Sequence, residues 1–134
     1  MAVRPLPRGV KGVYQARGDR RVIVLARALG RVERNATLAH ELVHDERGGG
    51  AAFRGQPRTW DAVVARDEHQ VDDEVARRLV PAADLARLWR RARTVDGCLS
   101  PADVSAAFDV PDTVAARALV LQRPRRRRAR TPRR

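Results

Sequence analysis

The run Thr37-Leu38-Ala39-His40-Glu41-Leu42-Val43-His44 sets two imidazoles four residues apart with a carboxylate beside the first, the pattern H-E-x-x-H. On a helix, at about 100° per residue, His44 lies only about 40° round from His40, so both rings reach one metal ion. Zinc suits such a pair. Glu41, beside the site but turned too far round to ligate, is placed to act as a general base. The chemistry this suggests is metal-assisted hydrolysis, with a peptide bond as the usual target. The plainer reading of the same residues is a chance grouping of surface polar side chains.

The motif needs a helix to hold it and a third ligand to complete it. With His40 as origin, Val32, Ala36 and Val43 fall to one side and Leu38 and Leu42 near the opposite pole. A helix apolar on two sides belongs between layers, and Gly48-Gly49-Gly50 ends it. Hydrolytic zinc sites keep three protein ligands and an open position, and two histidines with one glutamate is a standard set. The segment from Trp60 to Leu79 supplies the candidate. Around Glu68, the side chains of Val64, Val71, Val75 and Leu79 lie within about 60° and Asp72 at about 40°, while Arg66, Asp73, Glu74 and Arg77 point toward water. Carboxylates in an apolar stripe are costly unless paired or bound to metal. Glu68 is therefore the expected third ligand, and Asp72 the acceptor that fixes a ligand histidine's tautomer. The alternative is that both acids form ion pairs with arginines, which are plentiful. Tyr14 and His69 are candidate transition-state stabilisers, although His69 sits about 100° from the stripe.

These blocks carry a family resemblance. Apolar strands beginning near Gly12, then Ala36 to His44, then Glu68-His69-Gln70-Val71-Asp72-Asp73-Glu74-Val75-Ala76-Arg77-Arg78-Leu79-Val80-Pro81, resemble the ImmA/IrrE family of small zinc metallopeptidases. That family's second block is similar to E-x-x-A-[ND]-x-F-A-x-x-L-L-x-P. Glu68 falls on its ligand position, and Leu79-Val80-Pro81 ends in register. Val71 stands for the alanine, Glu74 for the phenylalanine, Arg78 for a leucine, and Val43 for the usual glycine of H-E-L-G-H. The resemblance spans about Gly12 to Val120. It implies a zincin-like α+β domain, one Zn2+ and an antirepressor activity, the cleavage of a helix-turn-helix repressor of a phage or mobile element.

The remaining sequence sets bounds. At 134 residues the chain suits one domain, and with 43 % hydrophobic but only 4 % aromatic residues its core must be built from Val, Leu and Ala. Net charge is +12, but eight of the 28 cationic side chains follow residue 122, leaving 20 against 16 acids in the body. One cysteine, Cys98, excludes an internal disulfide, and no run suits a signal peptide or a bilayer span, so a cytoplasmic location is expected.

Taken in order, residues 1–11 read as an irregular lead-in, 12–122 as the domain and 123–134 as a disordered arginine-rich tail. Val13 to Arg17 and Arg21 to Ala26 read as an antiparallel hairpin about Gly18-Asp19, packed under the metal helix, with an edge strand able to pair with an extended peptide. Gly48 to Arg58 reads as a connection at the cleft rim, and Thr59 and Trp60 as cap and core of the second helix. Pro81 stops that helix, and Asp84 to Arg93 forms a third with Leu85, Leu88 and Trp89 inward. Ser100-Pro101-Ala102-Asp103 opens a fourth with Val104, Ala107 and Phe108 on its apolar side, and Thr113 to Gln122 a fifth, about five helices in all. The last two also suit a helix-turn-helix, so a rival reading is a DNA-associated regulator with a structural zinc site. The run Val114 to Val120 offers few polar groups for reading bases, which favours packing behind the metal site instead. The tail, through Arg125, Arg126, Arg127 and Arg128, suits weak non-specific nucleic-acid binding.

Overall fold

The computed structural model describes residues 1–48, 61–92 and 98–122. Three strands come first, β1 (Ala2–Arg4), β2 (Gly12–Arg17) and β3 (Arg20–Ala26). β2 and β3 form the expected hairpin, with Arg17 opposite Arg20 and a two-residue turn in which Gly18 has φ of 55°. Glycine adopts that left-handed angle without steric penalty, and such turns match the twist of the strands they join.

β1 corrects the sequence reading. Residues 1–11 are not irregular throughout: Ala2–Arg4 pairs in parallel with β3, Ala2 opposite Val24 and Arg4 opposite Ala26. Three residues ahead of Pro5 and Pro7 are too few to show period-two alternation, so the strand is specified by its partner rather than by its own pattern. The sheet is accordingly mixed, in the order β1-β3-β2, rather than antiparallel. Its middle strand is β3, whose nearly continuous apolar run is buried only toward its end: Leu25 is fully buried and Val22 is 40 % exposed.

Five helices follow among the described residues: α1 (Arg31–Glu46), α2 (Asp61–Leu79), α3 (Ala82–Ala92), α4 (Pro101–Phe108) and α5 (Asp112–Leu121). The fold is α+β. α1 lies between the sheet and α2, as its two apolar sides require, yet its Leu42 edge is open, 42 % exposed. Gly48, at φ of 94°, turns the chain out of α1. α4 begins with a capping box in which the Ser100 side chain and the Asp103 backbone and carboxylate satisfy one another. Asp109, at φ of 57°, then breaks the chain before α5. Ala107, expected on the apolar side of α4, is exposed; the short helix buries Val104 and part of Phe108 instead.

Among the described residues, two apolar clusters hold the helices together. Val80, Leu85, Val104, Val110, Ala115 and Ala118 form the larger, joined by Leu88 and Trp89 of α3. Val43, Val71 and Val75 form the smaller, between α1 and α2, and Leu79 and Val114 pack against both. α5 is therefore committed to α2. Its Arg117 bonds Asp73, an acid expected to face water, and the Gln122 amide donates to the Val80 carbonyl at 2.8 Å. Its outward Val120, 75 % exposed, has no polar group to offer a base edge.

The expectations on residues 49–58, Thr59, Trp60, the Val64 side chain, Arg93 and the tail with Arg125, Arg126, Arg127 and Arg128 lie outside the described residues. No described helix is long and apolar enough to cross a membrane.

Candidate metal centre

α1 and α2 meet through Val43, Val71 and Val75, and above that contact each helix presents polar groups to the other. His40 and His44, one turn apart on α1, bring their Nε2 atoms within 3.1 Å, with the rings edge to face. From α2, Glu68 Oε2 lies 3.3 Å from His40 Nε2 and Glu68 Oε1 lies 3.2 Å from His44 Nε2. These separations can be compared with what a tetrahedral ion demands. Zinc-to-nitrogen bonds of about 2.0–2.1 Å put neighbouring ligand atoms about 3.3 Å apart. The two Nε2 atoms are thus spaced like two corners of such a tetrahedron, each has a different Glu68 oxygen at about that distance, and one donor atom from each residue falls within 4.8 Å of the others.

The charge pattern agrees with the geometry. Asp72 Oδ1 lies 3.3 Å from His40 Nδ1, so that nitrogen can carry its proton toward Asp72 and leave a lone pair on Nε2. That lone pair then faces a carboxylate oxygen and a second imidazole. A cation at the centre would relieve the contact. Glu68 and Asp72 thus face imidazoles rather than arginines.

The burial expected of the two acids is not found. Neither carboxylate is buried in the apolar stripe: the side chains of Glu68 and Asp72 are 46 % and 54 % exposed. Val71 and Val75 form the buried floor, and the acids stand at its rim, where hydration lowers the cost of their charge.

Two ion-pair groups fix α2 against the end of α1. Arg47 donates to Asp67 Oδ1 and Gln70 Oε1, both at 2.7 Å, on either side of Glu68. Arg78 grips Glu46 with two bonds, 2.9 and 2.6 Å, and Glu74 with a third. These carboxylates raise the Arg78 pKa further, so it stays charged.

Glu41 lies beside the three donors without joining them. Burial raises its pKa above the ordinary range; the two imidazoles oppose that shift and the Glu68 charge adds to it. A carboxylate moved toward neutrality is a better proton shuttle at ordinary pH. A cleft of about 440 Å³ adjoins it, lined by Lys11, Glu33, Ala36, His40, Val75 and Val114. Lys11 and Glu33 pair at 2.8 Å in its wall, and Pro111 and Thr113 at the start of α5 bring the α4–α5 corner to the cleft.

The other candidates stand apart. Tyr14 donates to Asp45 Oδ1 at 2.6 Å, which raises its own pKa, and with Arg21 it fastens the hairpin to the last turns of α1. His69 is exposed and lines a smaller cavity, of about 230 Å³, with Asp72, Thr113 and Arg117. One neighbour has no counterpart in the sequence reading: the backbone at Gly12, the first residue of β2, passes directly against Glu41 and Thr37. A glycine opening a strand is the signal of such a close approach.

No protein family, curated protein or solved structure matches the chain in sequence or in fold.

Proposed function

We propose that this chain is a zinc-dependent endopeptidase of the ImmA/IrrE type, with a zincin-like arrangement of sheet and active-site helices. The observation that carries the proposal is the convergence of His40, His44 and Glu68, one donor atom from each within 4.8 Å of the others, with a second glutamate, Glu41, alongside.

His40, His44 and Glu68 would hold the ion, which supplies Lewis acidity and lowers the pKa of water toward neutrality. Asp72 keeps the His40 proton on Nδ1, so that Nε2 stays available as a donor. Glu41 takes the proton of the attacking water and returns it to the leaving amine nitrogen. β2 is an edge strand whose first residue touches Glu41, which supports an extended substrate held by backbone pairing. The cleft beside Glu41 then receives a side chain next to the bond being cut.

By its resemblance, the substrate is a helix-turn-helix repressor of a phage or mobile element, and cleavage relieves repression. The test incubates the purified chain with the repressor encoded by the adjacent gene, with and without chelator. Two fragments appear, chelation abolishes them and added zinc restores them; Glu41→Gln binds zinc and yields none. Cleavage that survives in Glu41→Gln, or in a chelated protein shown to be metal-free, overturns the proposal.

A further inference from the structure

Gly12 has an ordinary backbone: unlike Gly9, Gly18 and Gly48 it has no positive φ, so an alanine could adopt its conformation. What it lacks is room. A β-carbon built there would lie 2.7 Å from Thr37 Cγ2, 2.9 Å from Glu41 Oε1 and 3.2 Å from Glu41 Cγ. Carbon and oxygen atoms do not approach so closely without something moving. Gly9, Gly18 and Gly48 have open space where Gly12 has none.

We infer that Gly12 is a positioning residue for the proposed general base: its bare α-carbon is the wall against which the Glu41 carboxylate is set, and any side chain there displaces that carboxylate. The inference rests on the peptidase reading above for its functional consequence, while the contact itself stands on the geometry alone.

The two contacts differ in what can yield. Thr37 is β-branched and buried, 9 % exposed, so its methyl has few alternative positions. Glu41 has a flexible stem and an oxygen at its far end, so its carboxyl swings away at little cost to the fold. Gly12 is held in place by pairing with Leu25 and by the adjoining Ala26 N–H, which donates to the Lys11 carbonyl at 2.8 Å, so the strand does not retreat easily. In a chain lacking the Thr37 methyl, the nearest atoms left to a β-carbon at residue 12 are those of Glu41. Neither His40, His44 nor Glu68 is among the nearest atoms, so the metal donors are left as they are.

The experiment compares Thr37→Ser with the double variant Gly12→Ala/Thr37→Ser, in the full chain. Both fold and bind zinc with affinities within about twofold, as measured by calorimetry. A base misplaced by about 1 Å costs on the order of 100-fold, so kcat of the double variant falls by about that factor with KM little changed. Independently of turnover, the 13C resonance of the Glu41 carboxyl, identified by its loss in Glu41→Gln, moves at fixed pH in the metal-free double variant and not in Thr37→Ser. A double variant that turns over as fast as Thr37→Ser, or whose Glu41 resonance coincides with that of Thr37→Ser, overturns the inference. An inactive parent chain instead counts against the peptidase reading, while the carboxyl resonance still decides whether Gly12 sets Glu41.

Discussion

Asp72 shows how much of the proposed site depends on a side chain that would never touch the ion. In the proposed site its carboxylate, 3.3 Å from His40 Nδ1, would select the tautomer that turns a lone pair toward Glu68 and His44. Partners of this kind change metal affinity by about 10–100-fold. Asp72→Ala is therefore expected to weaken zinc binding by such a factor in a competition titration with a calibrated chelator. Equal affinity would remove Asp72 from the site. Five of these residues were legible in the sequence because helical spacing alone puts His40 with His44 and Glu68 with Asp72, and leaves Glu41 beside the pair. What spacing cannot convey is depth. The two α2 acids were placed in the interior because Val71 and Val75 flank them, but a stripe wide enough to bury valines ends at a rim, and the acids occupy it. The contact between Gly12 and Glu41 was illegible for a different reason: it joins residues 29 apart in sequence through a strand whose path the pattern does not fix.

At the level of elements, the four departures from the resembled family pattern fall into two pairs that meet. Val43 and Val71, in place of a glycine and an alanine, pack together in the cluster between α1 and α2. Glu74 and Arg78, in place of a phenylalanine and a leucine, are ion-pair partners one turn apart, and Arg78 reaches on to Glu46 of α1. The buried pair should matter more, since exposed ion pairs contribute about 0–1 kcal/mol. Val71→Ala, which removes two methyl groups from a fully buried position, is expected to cost about 2 kcal/mol in denaturant unfolding, and Arg78→Leu less than half of that. The reverse order would mean that α1 and α2 are held by charge rather than by packing. β1 belongs to the same scale: three residues carry no readable period, and the strand exists because β3 offers it an edge. The capping box of α4, by contrast, was readable because its residues bond locally. Bonds from the Ser100 side chain and backbone hold Asp103 below the usual carboxylate range. A depressed folded pKa contributes stability above the unfolded value, about 3.9, that is lost as pH falls through the folded one. The acid limb of the stability curve should therefore be shallower in Asp103→Ala than in the parent, as followed by circular dichroism.

For the whole molecule, the two helices that carry the proposed ligands come from different parts of the chain, and the small Val43-Val71-Val75 cluster is their buried contact. An ion bound by both would act as a further cross-link. A ligand present at about 100 times its Kd stabilises the folded state by about 2.7 kcal/mol, so zinc should raise the melting temperature by several degrees and a chelator should reverse it. Magnesium, which prefers six oxygen donors, should not substitute. The helix-turn-helix reading of α4 and α5 belongs at this scale too. Sequence showed two short helices and a break; only packing shows α5 spending Ala115, Ala118 and Arg117 on α2 and turning the α4–α5 corner into the cleft wall. The central claim is that two imidazoles and one glutamate converge on a single zinc ion. It is tested most directly by zinc stoichiometry and affinity in the parent chain and in Glu68→Ala, measured by native mass spectrometry and calorimetry. One ion per parent chain, with binding lost or weakened by orders of magnitude in folded Glu68→Ala, is the expected result. A parent chain that takes up no zinc, or a Glu68→Ala chain that binds it equally well, would contradict the account.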